Sequence, residues 1–326
     1  MRESNNSIAT FLRCKREYRH AYVEKRVAIN RGSEALDFGT LFHRALNAWW
    51  ECTGMREAAR YEAAIDTIPG DTDPFIAAKA RALLAGYSIR WANEQKGLYT
   101  IAVEHKFRLP ILRGSSIIGS IDAIASKSNG MNASTVVAEH KTTTQDIAPS
   151  SPYWRQVIAL DPQVSTYMIA AESEGYAPKS IMYDVIRKPS MKPYVETPDD
   201  EKLYTKPTKA EPVPRLYKSQ RDRDETPEEY EARLTNEIVT HPEMYFQRAT
   251  IVRLPRDHEE HMRDLKETMR AIQFATERSE FSRTPGSCIR YGRLCEYHDV
   301  CAGQAELSDN SRYEDKDESH RKGFEE

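Results

Sequence analysis

Two short apolar strands that each carry a carboxylate near their end constrain the fold of this chain most strongly. The first, Ser116–Ala125, contains Asp122, and the second, Ser134–His140, carries Glu139 and is followed at once by Lys141. Alternate residues of a strand face the same side, so the side chains of Glu139 and Lys141 project together. If the two strands are neighbours, Asp122 completes a carboxylate pair beside a lysine.

This residue set has the chemistry of a metal-dependent hydrolase. Two carboxylates suit a hard cation such as Mg²⁺ or Mn²⁺, and a lysine beside them orients water or stabilises charge on a phosphate. We therefore predict that Asp122 and Glu139 are metal ligands and that Lys141 is catalytic. The backbone carbonyl of His140 is a further candidate ligand, and Glu104 on the preceding strand is an open candidate. The alternative is a strand-end turn residue with a surface ion pair.

Hydrophobic periodicity predicts the other elements. Helices are expected over residues 4–26, Leu36–Glu51, 56–68, 74–95, Tyr153–Glu174 and Arg256–Thr276, and from Thr226 onward. Further strands are expected over Tyr99–Leu112, Lys179–Arg187 and Tyr245–Leu254. Adjacent strands predict an antiparallel meander. The order of elements predicts a mixed α/β core, in which a central sheet is flanked by helices and preceded by a helical N-terminal section.

Composition divides the 326 residues into three parts. Residues 1–303 are predicted to form a single domain. Within it, residues 188–227 are rich in proline and charge and predict an extended insertion. Residues 304–326 are polar, with more acidic than basic side chains, and predict a disordered acidic tail.

Four of the five cysteines predict a metal centre. Cys288, Cys295 and Cys301 have the spacing C-x6-C-x5-C, and Cys14 lies far upstream. Four thiolates can hold a 4Fe–4S cluster or a tetrahedral zinc ion, and the spacing alone leaves both open. Either centre would fasten the N-terminal helix to the C-terminal segment. Cys52 has no partner in the pattern and is expected to be a packed free thiol.

A basic N-terminal stretch is a candidate DNA contact although the formal net charge is -3. Its cations suit phosphate contacts, and a tyrosine among them suits base stacking; the alternative is a solvated helix face. The residues are Arg13, Lys15, Arg16, Arg19 and Tyr18. A P-loop is missing from the sequence, so a helicase or ATPase would be a separate chain.

The sequence predicts no membrane segment. Its apolar runs are shorter than the roughly 18 to 20 residues of a membrane span, and the N-terminus lacks the apolar centre of a signal peptide. We therefore expect a cytoplasmic protein, of a bacterial or phage-infected cell.

The site motifs carry a family resemblance. The run Gly-Ser-Ile-Asp122 followed by Glu139-His-Lys141 resembles the PD-(D/E)XK nuclease superfamily. More narrowly, it resembles the RecB-like branch, which includes AddB nuclease domains and CRISPR-associated adaptation exonucleases. Phe38-Gly-Thr-Leu-Phe-His43 and Gln163-Val-Ser-Thr-Tyr167 match two further motifs of that branch. The cysteines match its iron–sulfur subset.

The resemblance implies more than the residues alone. It implies that His43 is a metal ligand, that Gln163 and Tyr167 contact the DNA or the active site, and that the four cysteines hold 4Fe–4S. It implies an exonuclease acting on linear or single-stranded DNA ends in recombination, repair or phage DNA processing. DNA is then the partner, with a separate helicase or recombination protein as a further candidate.

Two other functions fit the sequence. One is a non-catalytic nucleic-acid-binding protein that keeps the nuclease fold. The other is a zinc-stapled scaffold whose partner docks on residues 188–227.

Overall fold

A computed structural model describes residues 1–29, 34–92, 97–128, 132–157, 161–207, 213–290 and 292–316. Its centre is a six-stranded mixed sheet. The sheet strands are β1 (Arg2–Glu3), β3 (Leu98–Leu112), β4 (Ser115–Ser128), β5 (Ala133–Thr143), β6 (Ser180–Arg187) and β7 (Phe246–Ile251). Four short strands lie outside it: β2 (Arg26–Ala28) pairs with β10 (Tyr313–Asp315), while β8 (Ile289–Arg290) and β9 (Arg293–Leu294) form a hairpin.

The strand order is β1-β4-β5-β6-β7, with β3 also pairing with β4. The antiparallel meander predicted from the sequence is confirmed as β3–β4–β5. Strand β5 pairs with β6 in parallel, β6 with β7 antiparallel, and β1 with β4 in parallel. The predicted mixed α/β class is therefore confirmed.

The helices cover both faces of this sheet. Their bounds are α1 (Asn5–Arg13), α2 (Lys15–Tyr18), α3 (Glu34–Glu51), α4 (Glu57–Asp66), α5 (Pro74–Trp91), α6 (Pro152–Val157), α7 (Pro162–Ser173), α8 (Pro227–Thr240), α9 (Pro255–Arg278) and α10 (His298–Cys301). Several begin as the sequence predicts: at α8, Thr226 accepts a hydrogen bond from the Glu229 N–H and Pro227 fills the first turn. In the described residues no helix is long and apolar enough to cross a membrane.

Side-chain alternation along the strands divides the core in two. Val137 of β5 and Tyr183 of β6 face the core formed with α1, α7 and α9. Ala138 and Met182, one position along, face the core formed with α3, α5 and α8. Successive residues of β5 therefore face opposite sides of the sheet.

The predicted helix over residues 4–26 is wrong as a single element. Helix α1 ends at Arg13, Cys14 is extended with φ -157° and ψ 112°, and α2 is followed by a π-helical turn over Arg19–Val23. The break lets the Arg16 N–H donate to the Ser282 carbonyl at 3.1 Å. A contact with the C-terminal segment thus replaces helix continuity.

The helix predicted over Tyr153–Glu174 is also divided, into α6 and α7. Asp161 accepts a hydrogen bond from the Gln163 N–H at 2.9 Å, and Pro162 starts the new helix. Proline at the first helical position has no N–H to lose, so the pair marks a start and not an interior. Residues 158–160 lie outside the described part.

The tail differs from the disorder predicted over residues 304–326. Residues 304–316 return to the body, where β10 pairs with β2 and the Tyr313 ring stacks on Tyr297 at 5.9 Å. Tyr313 is 1% exposed. One aromatic anchor therefore orders an otherwise polar stretch, while residues 317–326 lie outside the described residues.

Candidate active site

The site forms where β4 and β5 separate. Their ladder ends at the pair Ala123 and Ala138, and the next amide, that of His140, donates instead to Asp122 Oδ2 at 2.7 Å. The Asp122 carboxylate thus replaces a backbone acceptor. This hydrogen bond brings Asp122 beside Glu139, as the sequence predicts.

Lys141 connects the acidic pair to α7. Its Nζ forms an ion pair with Glu139 Oε1 and donates to Gln163 Oε1 at 2.8 Å. Gln163 Nε2 in turn donates to the Tyr167 hydroxyl at 2.7 Å. The four residues Glu139, Lys141, Gln163 and Tyr167 therefore form one hydrogen-bonded chain, which fixes the lysine between the strand and the helix.

The two carboxyl groups are in an environment that disfavours their charge. Burial raises the pKa of Asp122 to about 7. Burial, and then repulsion from Asp122, raise the pKa of Glu139 to about 8. Glu139 Oε2 is buried and has no hydrogen-bond partner. A buried carboxylate is normally paired or bound to a metal, so the chemistry of this oxygen fits a cation ligand.

His43 approaches the same carboxylate from α3. Its Nδ1 is 3.9 Å from Asp122 Oδ2. Burial, followed by the nearby His140 and Lys141, lowers the pKa of His43 to about 3, which keeps the imidazole neutral. Phe42 and Leu46 are fully buried and fix the orientation of the helix. A neutral imidazole offers a lone pair to a divalent metal.

These donors are not drawn together in a closed coordination shell. Across the described ranges, no group of three or more His, Cys, Asp or Glu side chains is arranged so that it could hold a metal ion. The donor set of His43, Asp122 and Glu139 nevertheless fits Mg²⁺ or Mn²⁺ in its chemistry, with the unpartnered Glu139 oxygen as the clearest sign.

Comparison with known proteins identifies the family. The family model described as the PD-(D/E)XK nuclease superfamily matches residues 2–302. The chain belongs to the PD-(D/E)XK nuclease superfamily. No curated protein matches it.

Membership in the PD-(D/E)XK superfamily suggests a metal-dependent phosphodiesterase. PD-(D/E)XK nucleases generally use Mg²⁺ or Mn²⁺, and the nuclease fold implies a nucleic-acid substrate.

A buried charge network behind the PD-(D/E)XK residues was missed from the sequence. His140 Nδ1 lies 3.1 Å from Asp184 Oδ2, and Asp184 also accepts from Tyr87 Oη at 2.5 Å and from Arg248 Nε at 3.0 Å. Burial opposes its charge, but Arg248 and His140 lower the pKa of Asp184 well below the ordinary value. The available signal was an acid in the middle of the apolar strand SIMYDVIR.

Glu104, the open candidate, lies on β3 opposite Asp122. Asn47 Nδ2 donates to its Oε1 at 2.5 Å and Ser120 Oγ to its Oε2 at 2.8 Å. Its φ is +46°, a left-handed conformation that costs a non-glycine residue about 1 to 3 kcal/mol. Its charge also contributes to the raised pKa of Asp122.

The base-stacking role predicted for Tyr18 is wrong in this structure. Its side chain is 3% exposed, its ring packs on Phe11 and Tyr22, and its hydroxyl donates to Glu3 at 2.8 Å. Three of the neighbouring cations also have partners within the protein: Arg13 with Glu17 at 2.5 Å, Arg16 with the Phe281 carbonyl at 2.9 Å, and Arg19 with Glu24 at 2.8 Å. Lys15 lies 5.4 Å above the Phe11 ring. Phosphate contact by these four cations stays a prediction.

The four predicted cysteine ligands line one cavity of about 240 Å³. Cys14 enters from the break between α1 and α2, and Cys288, Cys295 and Cys301 come from the C-terminal segment. The Cys295 N–H donates to the Cys288 carbonyl at 2.7 Å. Burial raises the pKa of the Cys295 thiol to about 11. Cys52 is not among the residues that line this cavity.

Proposed function

We propose that this protein is a metal-dependent DNA nuclease, and specifically an exonuclease that acts on linear or single-stranded ends. The observation that carries the proposal is the buried, unpartnered Glu139 Oε2 beside Asp122, with a neutral His43 across from it. Two adjacent buried carboxylates without a cation would be costly, and a divalent ion relieves that cost.

The roles follow from position. His43, Asp122, Glu139 and the carbonyl of His140 would hold Mg²⁺ or Mn²⁺. When bound, the cation polarises the phosphodiester and lowers the pKa of the attacking water. The His140 N–H donates to Asp122 Oδ2 at 2.7 Å and so fixes the carboxylate that would bind the ion.

Lys141 is proposed to orient the attacking water and to stabilise charge on the phosphate. Gln163 holds its ammonium by a 2.8 Å hydrogen bond, and Tyr167 holds Gln163. We assign Gln163 and Tyr167 as positioning residues for Lys141, with contact to the DNA as a further part of their role.

The first test is digestion of end-labelled single- and double-stranded DNA with Mn²⁺, Mg²⁺ or EDTA. The wild type should release label only with metal, and Lys141→Ala should not. The label released first gives the polarity. If neither protein cuts under any condition, the non-catalytic DNA-binding function replaces this proposal.

A second test separates exonuclease from endonuclease action. Covalently closed circular DNA, single- and double-stranded, has no ends and should survive an enzyme that degrades the linear form. Loss of the circles at a comparable rate would contradict the exonuclease assignment and leave a nuclease without end dependence.

The proposed setting is recombination, repair or phage DNA processing in a bacterial or phage-infected cell.

We also propose that Cys14, Cys288, Cys295 and Cys301 hold a 4Fe–4S cluster. The support is their shared cavity and the family resemblance. The cluster would be a structural staple that ties the N-terminal helices to the C-terminal segment, which restricts the unfolded chain.

Anaerobic purification tests the cluster. Iron and sulfide near four per chain, with visible absorption that Cys14→Ser abolishes, would support it. Cys52→Ser is the matched control and should keep the absorption. One zinc and no visible absorption would replace the cluster with a zinc staple.

A further inference from the structure

The insertion between β6 and α8 is an extended arm in which two chain segments run side by side. We define the arm as residues 189–225, described at 189–207 and 213–225. Backbone hydrogen bonds join its two halves from root to tip. They run from Glu225 N–H to Tyr194 O, from Thr197 N–H to Arg221 O, from Tyr217 N–H to Leu203 O and from Thr205 N–H to Arg215 O, at 2.7 to 3.0 Å.

The outer half of the arm exposes apolar and aromatic surface. We call residues 203–207 and 213–218 the distal arm. Tyr204 is 55% exposed and Tyr217 49%, and Leu203 and Val213 are more exposed still. Two extended segments side by side cannot bury their own side chains, so exposed rings along them are available to a partner.

Charge differs between root and tip. At the root, Lys202 is paired with Glu196 and Asp199, at 2.7 and 2.6 Å, and Glu225 is paired with Arg233 at 2.6 Å. Among its described residues the distal arm carries three cations and no acid, and Lys206, Arg215 and Lys218 are exposed. The distal arm therefore combines positive charge with exposed aromatic rings.

The arm leaves the sheet at the edge where the site lies. Strands β5 and β6 are parallel, and the Lys188 N–H donates to the Thr143 carbonyl at 2.7 Å, two residues beyond Lys141. The first residue of the insertion therefore lies close to the end of the strand that carries Glu139 and Lys141.

We propose that the distal arm binds the single-stranded portion of the nucleic-acid substrate. Bases stack on Tyr204 and Tyr217, and phosphates contact Lys206 and Lys218. Stacking on exposed rings together with backbone neutralisation is the chemistry of sequence-independent single-strand binding. The inference rests on the proposed function for its substrate. The distal arm would contribute binding affinity and take no part in the hydrolysis.

Single-strand affinity tests the arm apart from cleavage. Anisotropy of a labelled oligothymidine in EDTA should show Tyr204→Ala and Tyr217→Ala each weakening binding by roughly five- to a hundredfold. Tyr99→Ala is the matched control, because Tyr99 is 56% exposed on β3 and outside the arm. Lys206→Gln with Lys218→Gln should reduce the salt slope of binding by about 1.4.

The outcomes separate the arm from the nuclease. If all arm variants cleave DNA normally and bind oligothymidine as the wild type does, the proposed binding role of the arm is wrong and the proposed nuclease activity stands. If the arm variants lose affinity but the wild type does not cleave DNA, the binding role is supported and the nuclease proposal is wrong. Melting curves check that the variants fold, and the lysine pair replaces any tyrosine variant that does not. An unchanged oligothymidine affinity in the double lysine variant would also contradict single-strand binding by the distal arm.

Discussion

Arg248 Nε donates to Asp184 Oδ1 at 3.0 Å, and the two residues are direct partners in the β6–β7 ladder. Asp184 is fully buried, and its other oxygen is shared among Tyr87, His140 and Arg248 Nη2. Since the His140 N–H also fixes Asp122, the ion pair supports the site from behind. A central strand pair thus carries charge where an apolar pair would ordinarily pack.

The Asp184–Arg248 pair is expected to be costly to break. Arg248→Met leaves a buried carboxylate unpaired and should lower the free energy of unfolding by about 3 to 5 kcal/mol. Adding Asp184→Asn should recover part of that loss. Urea unfolding of the double-mutant cycle measures the coupling, with exposed Arg223→Met as a control that should match the wild type. Additive effects would show that the pair is not coupled.

Lys141→Met should reduce kcat by about a hundred- to a thousandfold, because a positive group directed at the reacting phosphate is lost. Lys127→Met removes an exposed lysine of β4 and should leave kcat unchanged. Steady-state digestion at saturating DNA measures both. A kcat within twofold of the wild type in Lys141→Met would remove the lysine from the chemistry.

Asp122→Asn should stabilise the metal-free protein at pH 8 while removing its activity. The substitution deletes one of two adjacent buried carboxylates, keeps an oxygen for the His140 N–H, and should add roughly 1 to 3 kcal/mol. Urea unfolding in EDTA is the measurement, with exposed Asp71→Asn as the control. A variant less stable than the wild type would mean that groups of the protein itself offset the cost of burying the Asp122 and Glu139 carboxylates, without a cation.

His261 predicts a pH dependence of stability. Burial lowers its pKa to about 4, and its Nε2 lies 2.9 Å from Thr166 Oγ1. As the pH falls, His261 binds a proton in the unfolded chain before it does so in the folded protein. The free energy of unfolding is therefore unaffected by this group above about pH 6.5, and falls by up to about 3 kcal/mol between about pH 6.5 and 4.

Comparison of the wild type with His261→Gln over pH 4 to 8 isolates this term, because the other titrating groups are common to both. The variant should lose less stability than the wild type as the pH falls. Parallel curves would contradict a buried neutral His261.

Gly86 allows α5 and α8 to pack closely. A Cβ there would lie 2.3 Å from Ile238 Cγ2 and 3.1 Å from Phe246 Cε2. Gly86→Ala should therefore destabilise by about 1 to 3 kcal/mol, although alanine favours helix. Gly70→Ala meets nothing within 4 Å and should be neutral or slightly stabilising. Thermal melts compare the two, and equal midpoints would show that α8 yields to the methyl group.

The sequence determined much of the site. Strand alternation placed Glu139 and Lys141 together, and spacing of four on a helix placed Gln163 beside Tyr167, because these relations depend only on local backbone geometry. Proline and cap signals marked the starts of α5 and α8, since capping uses neighbours in the chain.

Only the tertiary structure decided which distant residues meet. The break at Cys14, the burial of Tyr18 and the partners of Asp184 all depend on segments far away in the chain. Such contacts form when packing satisfies buried polar groups, and periodicity carries no information about the partner. The sequence therefore determined the local geometry of the reactive residues, while long-range packing determined what holds them in place.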